Sequence, residues 1–462
     1  MTREQKFPRI VLAGVSSGVG KTTIVTGLLR VLRDQGLVVQ PFKVGPDYID
    51  PGFHEKAAGR NSYNLDTWLV PKERLVSTFC TLADKADISV IEGVMGLFDG
   101  GEAGISSTAH IARLLNAPVV LVVNCRSMGQ SAAAVALGYK EYAPDVNIAG
   151  VILNQLGSDN HEQIIREAMA GIGMPVLGAL HRTDALQTPE RHLGLTPVTE
   201  TETDELIAHM AETISLRLDL GAIKNVAQSA PPLSPLKEDN SDEKISIRIG
   251  VAKDEAFTFY YPTSLSALSA RGAELIPFSP LLDKTIPSVD GLLFGGGFPE
   301  MFLDKLAAND SLKASIRKAR DDGMPIFAEC GGLMYLCQKI FDFNEKEYEM
   351  VGLVPAVCRM QKKLQRVGYV TAKALRENIL TGTGETLRGH EFHFSTMEPS
   401  GSDFPWAYEL TGSRQKESHR EGYAAGSVLA SYLHLNFDGS RTAADHFLSA
   451  CLAYQKNQGD TK

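Results

Sequence analysis

Short apolar runs alternate with helix-length amphipathic stretches through the first half of the chain. Arg9 to Ala13, Val38 to Lys43, Ile88 to Glu92, Val119 to Asn124 and Ile148 to Asn154 are rich in Val and Ile and too short to be buried helices. Met174 to Ala179 reads as one more strand, and Thr22 to Gln35, Thr108 to Leu115 and Gln130 to Tyr142 carry helical spacing between them. Strands apolar on both faces and separated by helices predict a mostly parallel sheet covered on both sides. The alternation stops at a stretch rich in proline, serine and charge, Val226 to Asp242, whose composition is that of an exposed linker. It resumes with Ile245 to Ala252, Glu274 to Phe278, Gly291 to Phe294 and Pro325 to Ala328. The pattern predicts an α/β chain with domains at 1–225 and 244–462 and a linker over 226–243. Residues 345–420 are polar, with weak periodicity that places no element.

A length of 462 residues exceeds what one hydrophobic core normally serves, which agrees with two domains. The formal charge of -9, with no concentrated basic run, argues against a nucleic-acid partner. None of the six cysteines forms a C-x-x-C pair, so zinc-knuckle and thioredoxin-like chemistry is not expected. The N-terminus lacks the apolar region of a signal peptide, and no apolar 18-mer occurs. These features predict a cytoplasmic protein with reduced thiols and no membrane partner.

The first chemical signal is a phosphate loop. Between the first strand and first helix stands Ala13-Gly-Val-Ser-Ser-Gly-Val-Gly-Lys-Thr-Thr23. Backbone N–H groups in such a turn, followed by a helix N-terminus, make an anion nest. Ser17, Gly18, Val19, Gly20, Lys21, Thr22 and Thr23 are the expected ATP-binding residues, with Lys21 on the outer phosphates and the Thr22 hydroxyl on Mg2+. The spacing Gly14-x5-Gly20-Lys21-Thr22 is one residue longer than usual, and Val15 stands where the first glycine belongs. Mg2+ also needs hard oxygen ligands. Glu92 closes an apolar strand and points into the crevice at the sheet edge, and Asp47 follows the preceding strand. Asp50, Asp66 and Asp99 are further loop acids. Lys43, His54 and Arg60 are placed either to neutralise substrate carboxylates or to form salt bridges at a rim.

The second signal is a thiol. Cys330 follows the apolar run Pro325 to Ala328 and precedes Gly331-Gly332, a strand–turn–helix elbow that exposes the sulfur to nearby N–H groups. The turn Gly295-Gly-Gly-Phe-Pro-Glu300 supplies candidate oxyanion-hole amides, of which Gly296 is the choice. The base should be a histidine brought close by folding. His434 near the domain's end is the candidate, with His390 and His393 as rivals; His393 can equally bind metal or support the fold.

Taken together, these motifs resemble the cobyrinic acid a,c-diamide synthases over nearly the whole chain. The matching stretches are Ser17-Gly-Val-Gly-Lys-Thr-Thr23, Pro41 to Pro51, Glu92-Gly-Val-Met-Gly-Leu-Phe-Asp-Gly100, Gly295 to Glu300, Ala328-Glu-Cys-Gly-Gly332, Arg388-Gly-His-Glu-Phe-His393 and Ala430-Ser-Tyr-Leu-His434. The resemblance implies an N-terminal P-loop domain resembling dethiobiotin synthetase and a C-terminal class I glutamine amidotransferase-like α/β domain. It implies a ligase of cobalamin biosynthesis that uses ATP, Mg2+ and glutamine. In that family the a and c side-chain carboxylates of a corrin ring become amides through acyl phosphates. Ammonia released at the glutamine site must travel to the other domain. The family roles carry over to Lys21 and Thr22 for phosphate and magnesium, to Asp47 and Glu92 for magnesium, and to Cys330 and His434 for glutamine hydrolysis. Tyr48 and Asp99 match loop positions that face the corrinoid. Asn436 stands where relatives often carry a second histidine after Leu435, so no third catalytic partner is assigned there. The rival readings are a diamide synthase for nickel-sirohydrochlorin or hydrogenobyrinic acid, then cobyric acid synthase, and last a partitioning-type ATPase. The last places an early signature lysine where this chain has Ser16.

Overall fold

Six expected strands of the first half and one short unexpected strand, β3, pair all parallel into one sheet: β1 (Arg9–Gly14), β2 (Val39–Val44), β3 (Tyr63–Leu65), β4 (Ile88–Glu92), β5 (Val119–Asn124), β6 (Ile148–Leu156) and β7 (Val176–His181). Their spatial order is β3-β2-β4-β1-β5-β6-β7. Every residue of β1, β2 and β4 is buried, as strands covered on both faces require. The helix Lys21–Asp34 turns Ile24, Val25, Leu28, Leu29 and Leu32 into the core. The topology reverses at β1, whose neighbours are β4 and β5, and ligand crevices in open α/β sheets form at such a point.

This architecture comes from a computed structural model that describes residues 5–182, 200–234, 246–414 and 417–459. The chain divides into two units, residues 1–238 and 239–462. Residues 226–228, expected in the linker, instead complete the helix Leu220–Gln228, with Ala227 in the core. Beyond it Ala230 and Leu233 are buried, and Leu233 exchanges backbone hydrogen bonds with Gln5. Apolar side chains at these positions outweigh the prolines beside them. Residues 235–243, the rest of the expected linker, lie outside the described residues. Arg9 joins the same region together. Its buried guanidinium donates from Nε to Leu115 O (2.7 Å), from Nη1 to Phe7 O (2.7 Å) and from Nη2 to Pro231 O (2.7 Å) and Asn116 O (3.4 Å).

The second unit is built on a nine-stranded mixed sheet. Its parallel half is β8 (Ile247–Ala252), β9 (Ala273–Phe278), β10 (Gly291–Phe294) and β11 (Ile326–Glu329). A smaller sheet follows, of β12 (Cys337–Phe341), β13 (Glu347–Glu349), β14 (Val354–Met360) and β17 (Ser395–Pro399). The strands β15 (Arg366–Ala374), β16 (Thr386–His393), β18 (Trp406–Gly412), β19 (Ser418–Ala425) and β20 (Val428–Ser431) complete the large sheet in the order β16-β15-β18-β19-β20-β11-β10-β8-β9. Residues 345–420, which sequence periodicity left unplaced, are therefore largely antiparallel strand. Among the described residues, no helix is long and apolar enough to cross a membrane.

Candidate active sites

In the first unit β1 delivers the phosphate loop to the C-terminal edge of the sheet. Gly18 and Gly20 have φ of 74° and 90°, a conformation that side chains disfavour. Gly20 also has no room: a Cβ there would lie 2.5 Å from Asn154 Nδ2, which donates to Val19 O at 2.8 Å. The Val19 side chain is buried, Ser17 and Gly18 are exposed, and Thr22 and Thr23 are half-buried. Tyr139 donates its hydroxyl to Val15 O at 2.6 Å and steadies the start of the loop. The helix beginning at Lys21 aims its first N–H groups at the loop. Lys21 Nζ donates to Met95 O (2.6 Å) and Ser16 O (3.3 Å), and burial holds its pKa below the ordinary lysine value.

The carboxylates come from neighbouring strands, with Lys43 on β2 opposite Glu92 on β4. Glu92 is wholly buried, and each of its oxygens has partners. Oε1 accepts from Thr22 Oγ1 (2.8 Å) and Lys43 Nζ (2.9 Å), and Oε2 lies 2.6 Å from His54 Nε2. His54 in turn has Nδ1 3.3 Å from Ser62 Oγ. Burial pushes the Glu92 carboxyl up, but the Lys43 charge and the His54 hydrogen bond outweigh it and hold Glu92 below the usual range. Asp50 Oδ2 accepts from the same two donors, Lys43 Nζ at 2.6 Å and Thr22 Oγ1 at 3.2 Å. Burial, with repulsion from Asp47 and Glu92, pushes Asp50 up to about 6.

The structure redistributes the expected acids. Asp47 uses Oδ1 to accept from the N–H groups of Ile49 and Asp50 (2.8 and 3.0 Å), and its Oδ2 is 3.9 Å from Lys43 Nζ. Asp50, one helical turn further on, is the acid that meets Thr22. Lys43 and His54 bind Glu92 directly. Asp99 is exposed and accepts from Gly96 N–H at 3.0 Å, and Tyr48 is half-buried in the turn between Asp47 and Asp50. Asp66 is buried and closes a turn by accepting from Trp68 N–H, Leu69 N–H and the Ser106 hydroxyl. Thr22 Oγ1, Glu92 Oε1 and Asp50 Oδ2 form a hard-oxygen set of the kind that suits magnesium. Among the described residues no three His, Cys, Asp or Glu are grouped to hold a metal alone, so phosphate and water oxygens would have to complete such a site.

In the second unit Cys330 stands at the end of β11 with φ 46° and ψ -103°, a conformation that costs energy for any residue but glycine. Its N–H donates to Ser431 O at 2.8 Å, and its Sγ donates to Phe392 O at 3.8 Å. The turn after β10 packs against this elbow. Gly332 N–H donates to Gly295 O at 3.1 Å, and a Cβ on Gly332 would lie 2.6 Å from Phe294 O. Gly295 N–H is taken by the Tyr260 hydroxyl at 2.8 Å. A Cβ on Gly296 would lie 2.8 Å from His434 Cε1, so this turn borders the histidine. Burial and the nearby Glu300 push the Cys330 thiol above its ordinary value.

His434 arrives from the neighbouring strand. β20 runs parallel to β11 with Ser431 opposite Glu329, and the chain leaves it through Tyr432 and Leu433. The His434 ring stacks on His390 at 4.8 Å, and the two residues exchange backbone hydrogen bonds. Burial, then the adjacent histidines, hold His434 well below the usual imidazole value, and burial lowers His390 to about 3. His393 stacks on Tyr432 at 3.8 Å and bonds Ser395 O through Nδ1 at 2.8 Å, as a fold-supporting residue does. Asn436 donates to Thr263 Oγ1 at 3.1 Å and accepts from Asp438 N–H at 2.9 Å.

Sequence reasoning overlooked Glu329. Its Oε1 accepts from Leu435 N–H at 3.0 Å, and its Oε2 lies 3.9 Å from His434 Nδ1. Burial pushes its carboxyl up to about 8. The signal was available, since Glu329 closes a buried strand just as Glu92 does, and a buried acid needs partners.

Residues 10–195 match the CobQ/CobB/MinD/ParA nucleotide binding domain, and residues 248–442 match the CobB/CobQ-like glutamine amidotransferase domain. Cobyrinate a,c-diamide synthases of two Dehalococcoides mccartyi strains are 46% and 47% identical to this chain over 454 residues, 96% of this chain and 98% of theirs. The cobyrinate a,c-diamide synthase of Leptospira interrogans is 41% identical over 452 residues, 97% of this chain and 99% of its own.

Proposed function

Because the chain belongs to the cobyrinate a,c-diamide synthase family, we propose that it amidates the a and c side-chain carboxylates of cobyrinic acid with ammonia drawn from glutamine, at the expense of ATP. One observation carries the reading: a phosphate loop facing buried carboxylates occurs in one unit, and in the other a thiol on a strained strand–helix turn after β11, with a buried histidine three residues beyond the paired strand β20. Each supplies what the other reaction lacks. A free carboxylate resists ammonia because its oxygen leaves poorly.

At the first site the phosphate-loop amides and Lys21 bind the ATP phosphates. A substrate carboxylate oxygen attacks the γ-phosphorus, ADP leaves, and an acyl phosphate forms. Ammonia then attacks the acyl carbon and inorganic phosphate departs, leaving the amide. Thr22, Glu92 and Asp50 would hold Mg2+, with Asp47 at the edge of the set. The ion would offset negative charge on the phosphates. Lys43 and His54 keep Glu92 ionised and oriented. Tyr48 and Asp99 belong to the loops on the substrate side.

At the second site the Cys330 thiol gives its proton to His434 and attacks the glutamine amide carbon. The Gly296 turn bounds the pocket where the developing oxyanion sits. Ammonia leaves with the proton returned by His434, and water hydrolyses the thioester to glutamate.

The test is turnover of purified protein with ATP, glutamine and, in separate reactions, cobyrinic acid, hydrogenobyrinic acid and nickel-sirohydrochlorin, with product mass followed over time. Two successive amidations of cobyrinic acid, faster than of the other rings, are expected. Absence of ADP formation with every tetrapyrrole acid, under both glutamine and ammonium, overturns the proposal.

A further inference from the structure

We propose that Glu329 is the positioning acid of the glutamine site, orienting His434 through Nδ1 and stabilising the imidazolium it becomes. This rests on the glutaminase reading above. Sequence offers no acid just beyond the histidine, where Asn436 is committed to Thr263 and Asp438. The acid comes instead from the other strand, immediately before the nucleophile.

Three observations converge on it. A single carboxyl spans two consecutive residues of the histidine segment, with Oε1 on Leu435 N–H at 3.0 Å and Oε2 3.9 Å from His434 Nδ1. The other buried acids nearby have different hydrogen-bond partners, although Glu391 also favours a charged His434 and Glu300 acts on the Cys330 thiol. Glu391 lies between His393 and His419, at 3.7 and 3.3 Å, and Glu421 accepts from the Ser431 hydroxyl and Tyr432 N–H. Finally, Glu329 ends β11 and Cys330 follows it directly, while Ser431, opposite Glu329, ends the partner strand β20 three residues before His434. Acid and nucleophile thus adjoin the end of one strand, and the base is held just past its paired neighbour by the His390–His434 backbone bridge.

The chemistry requires such a group. Activation moves the thiol proton to the ring and creates a buried cation, which an adjacent carboxyl favours. An acid facing Nδ1, drawn in from the present 3.9 Å as the imidazolium forms, also favours the tautomer that leaves Nε2 for the thiol. Burial disfavours an ionised Glu329, so its charge depends on a neighbouring cation, and the His434 imidazolium is the one at hand.

Glu329→Gln keeps the shape and an oxygen for Leu435 N–H but removes the acid. Glutamine-dependent kcat is expected to fall by about tenfold or more, with KM for glutamine and ammonium-dependent amidation unchanged. Glutamine-dependent kcat equal to wild type would overturn the proposal. So would a loss confined to KM. If the Gln variant does not fold, Glu329→Asp withdraws the carboxyl by one methylene and should lose glutamine kcat several-fold while keeping ammonium turnover; unchanged kcat there would equally overturn it. Cys330→Ala run alongside separates the two levels. Glutamine use surviving in that variant would sink the glutaminase reading itself, whereas its loss beside an active Glu329→Gln would sink only the role of Glu329.

Discussion

Glu92 shows what a single residue is asked to do at the first site. With no exposure to water, it is kept ionised by Lys43 at 2.9 Å and His54 at 2.6 Å while it holds the Thr22 hydroxyl. Glu92→Gln removes the charge but keeps the shape. Amidation with glutamine and with ammonium should therefore fall together, by about a hundredfold, in steady-state assays at saturating ATP. Glu421 behaves in the opposite way. Burial raises it to about 7 although Ser431 and Tyr432 donate to it. The native state keeps this proton after an unfolded chain, with a glutamate near its ordinary ~4.3, has released it. That contribution is complete below the unfolded pKa and is lost as pH rises toward about 7, at roughly 1.4 kcal/mol per pH unit at most. Glu421→Gln should accordingly gain thermal stability relative to wild type between pH 5 and pH 8, measured as the difference in Tm across that range.

At the scale of elements, the fixed approach of β10 to the Cys330 elbow is decisive. Gly332 gives its N–H to Gly295 O, and a Cβ there would meet backbone, Phe294 O at 2.6 Å. Backbone cannot rotate away as a side chain can. Gly332→Ala should cost about 1–3 kcal/mol in denaturant unfolding and reduce glutamine turnover more than ammonium turnover. The elements legible in the sequence were those whose burial is two-sided. The apolar runs of β1, β4, β5, β8, β10 and β11 announce themselves, and the phosphate loop and Cys330 lie at their ends. Residues 345–420 were not legible because strands such as β15 and β16 have one wet face and carry charge, so their apolar content is diluted and pairing across the sheet stabilises them. Asp50 and Asp47 are not separable in the sequence, because spacing alone cannot say which acid of a turn serves as its cap. Glu329 was overlooked because its partners, Leu435 and His434, are over a hundred residues away.

At the scale of the whole molecule, two chemistries are divided between two units of one chain. Cys330→Ala should abolish glutamine-dependent amidation, by about 10⁴-fold or more, and retain amidation with ammonium salts. Equal loss with both nitrogen sources in a folded protein would defeat this division. The first unit has one further property that follows from Arg9. Its guanidinium binds the carbonyl of Pro231, near the segment by which the chain departs toward the second unit, and that of Phe7, at the foot of β1. The opposite end of β1 carries the phosphate loop. The Arg9 guanidinium therefore staples the tail of the first unit, at Pro231, to the root of the strand whose far end carries the phosphate loop.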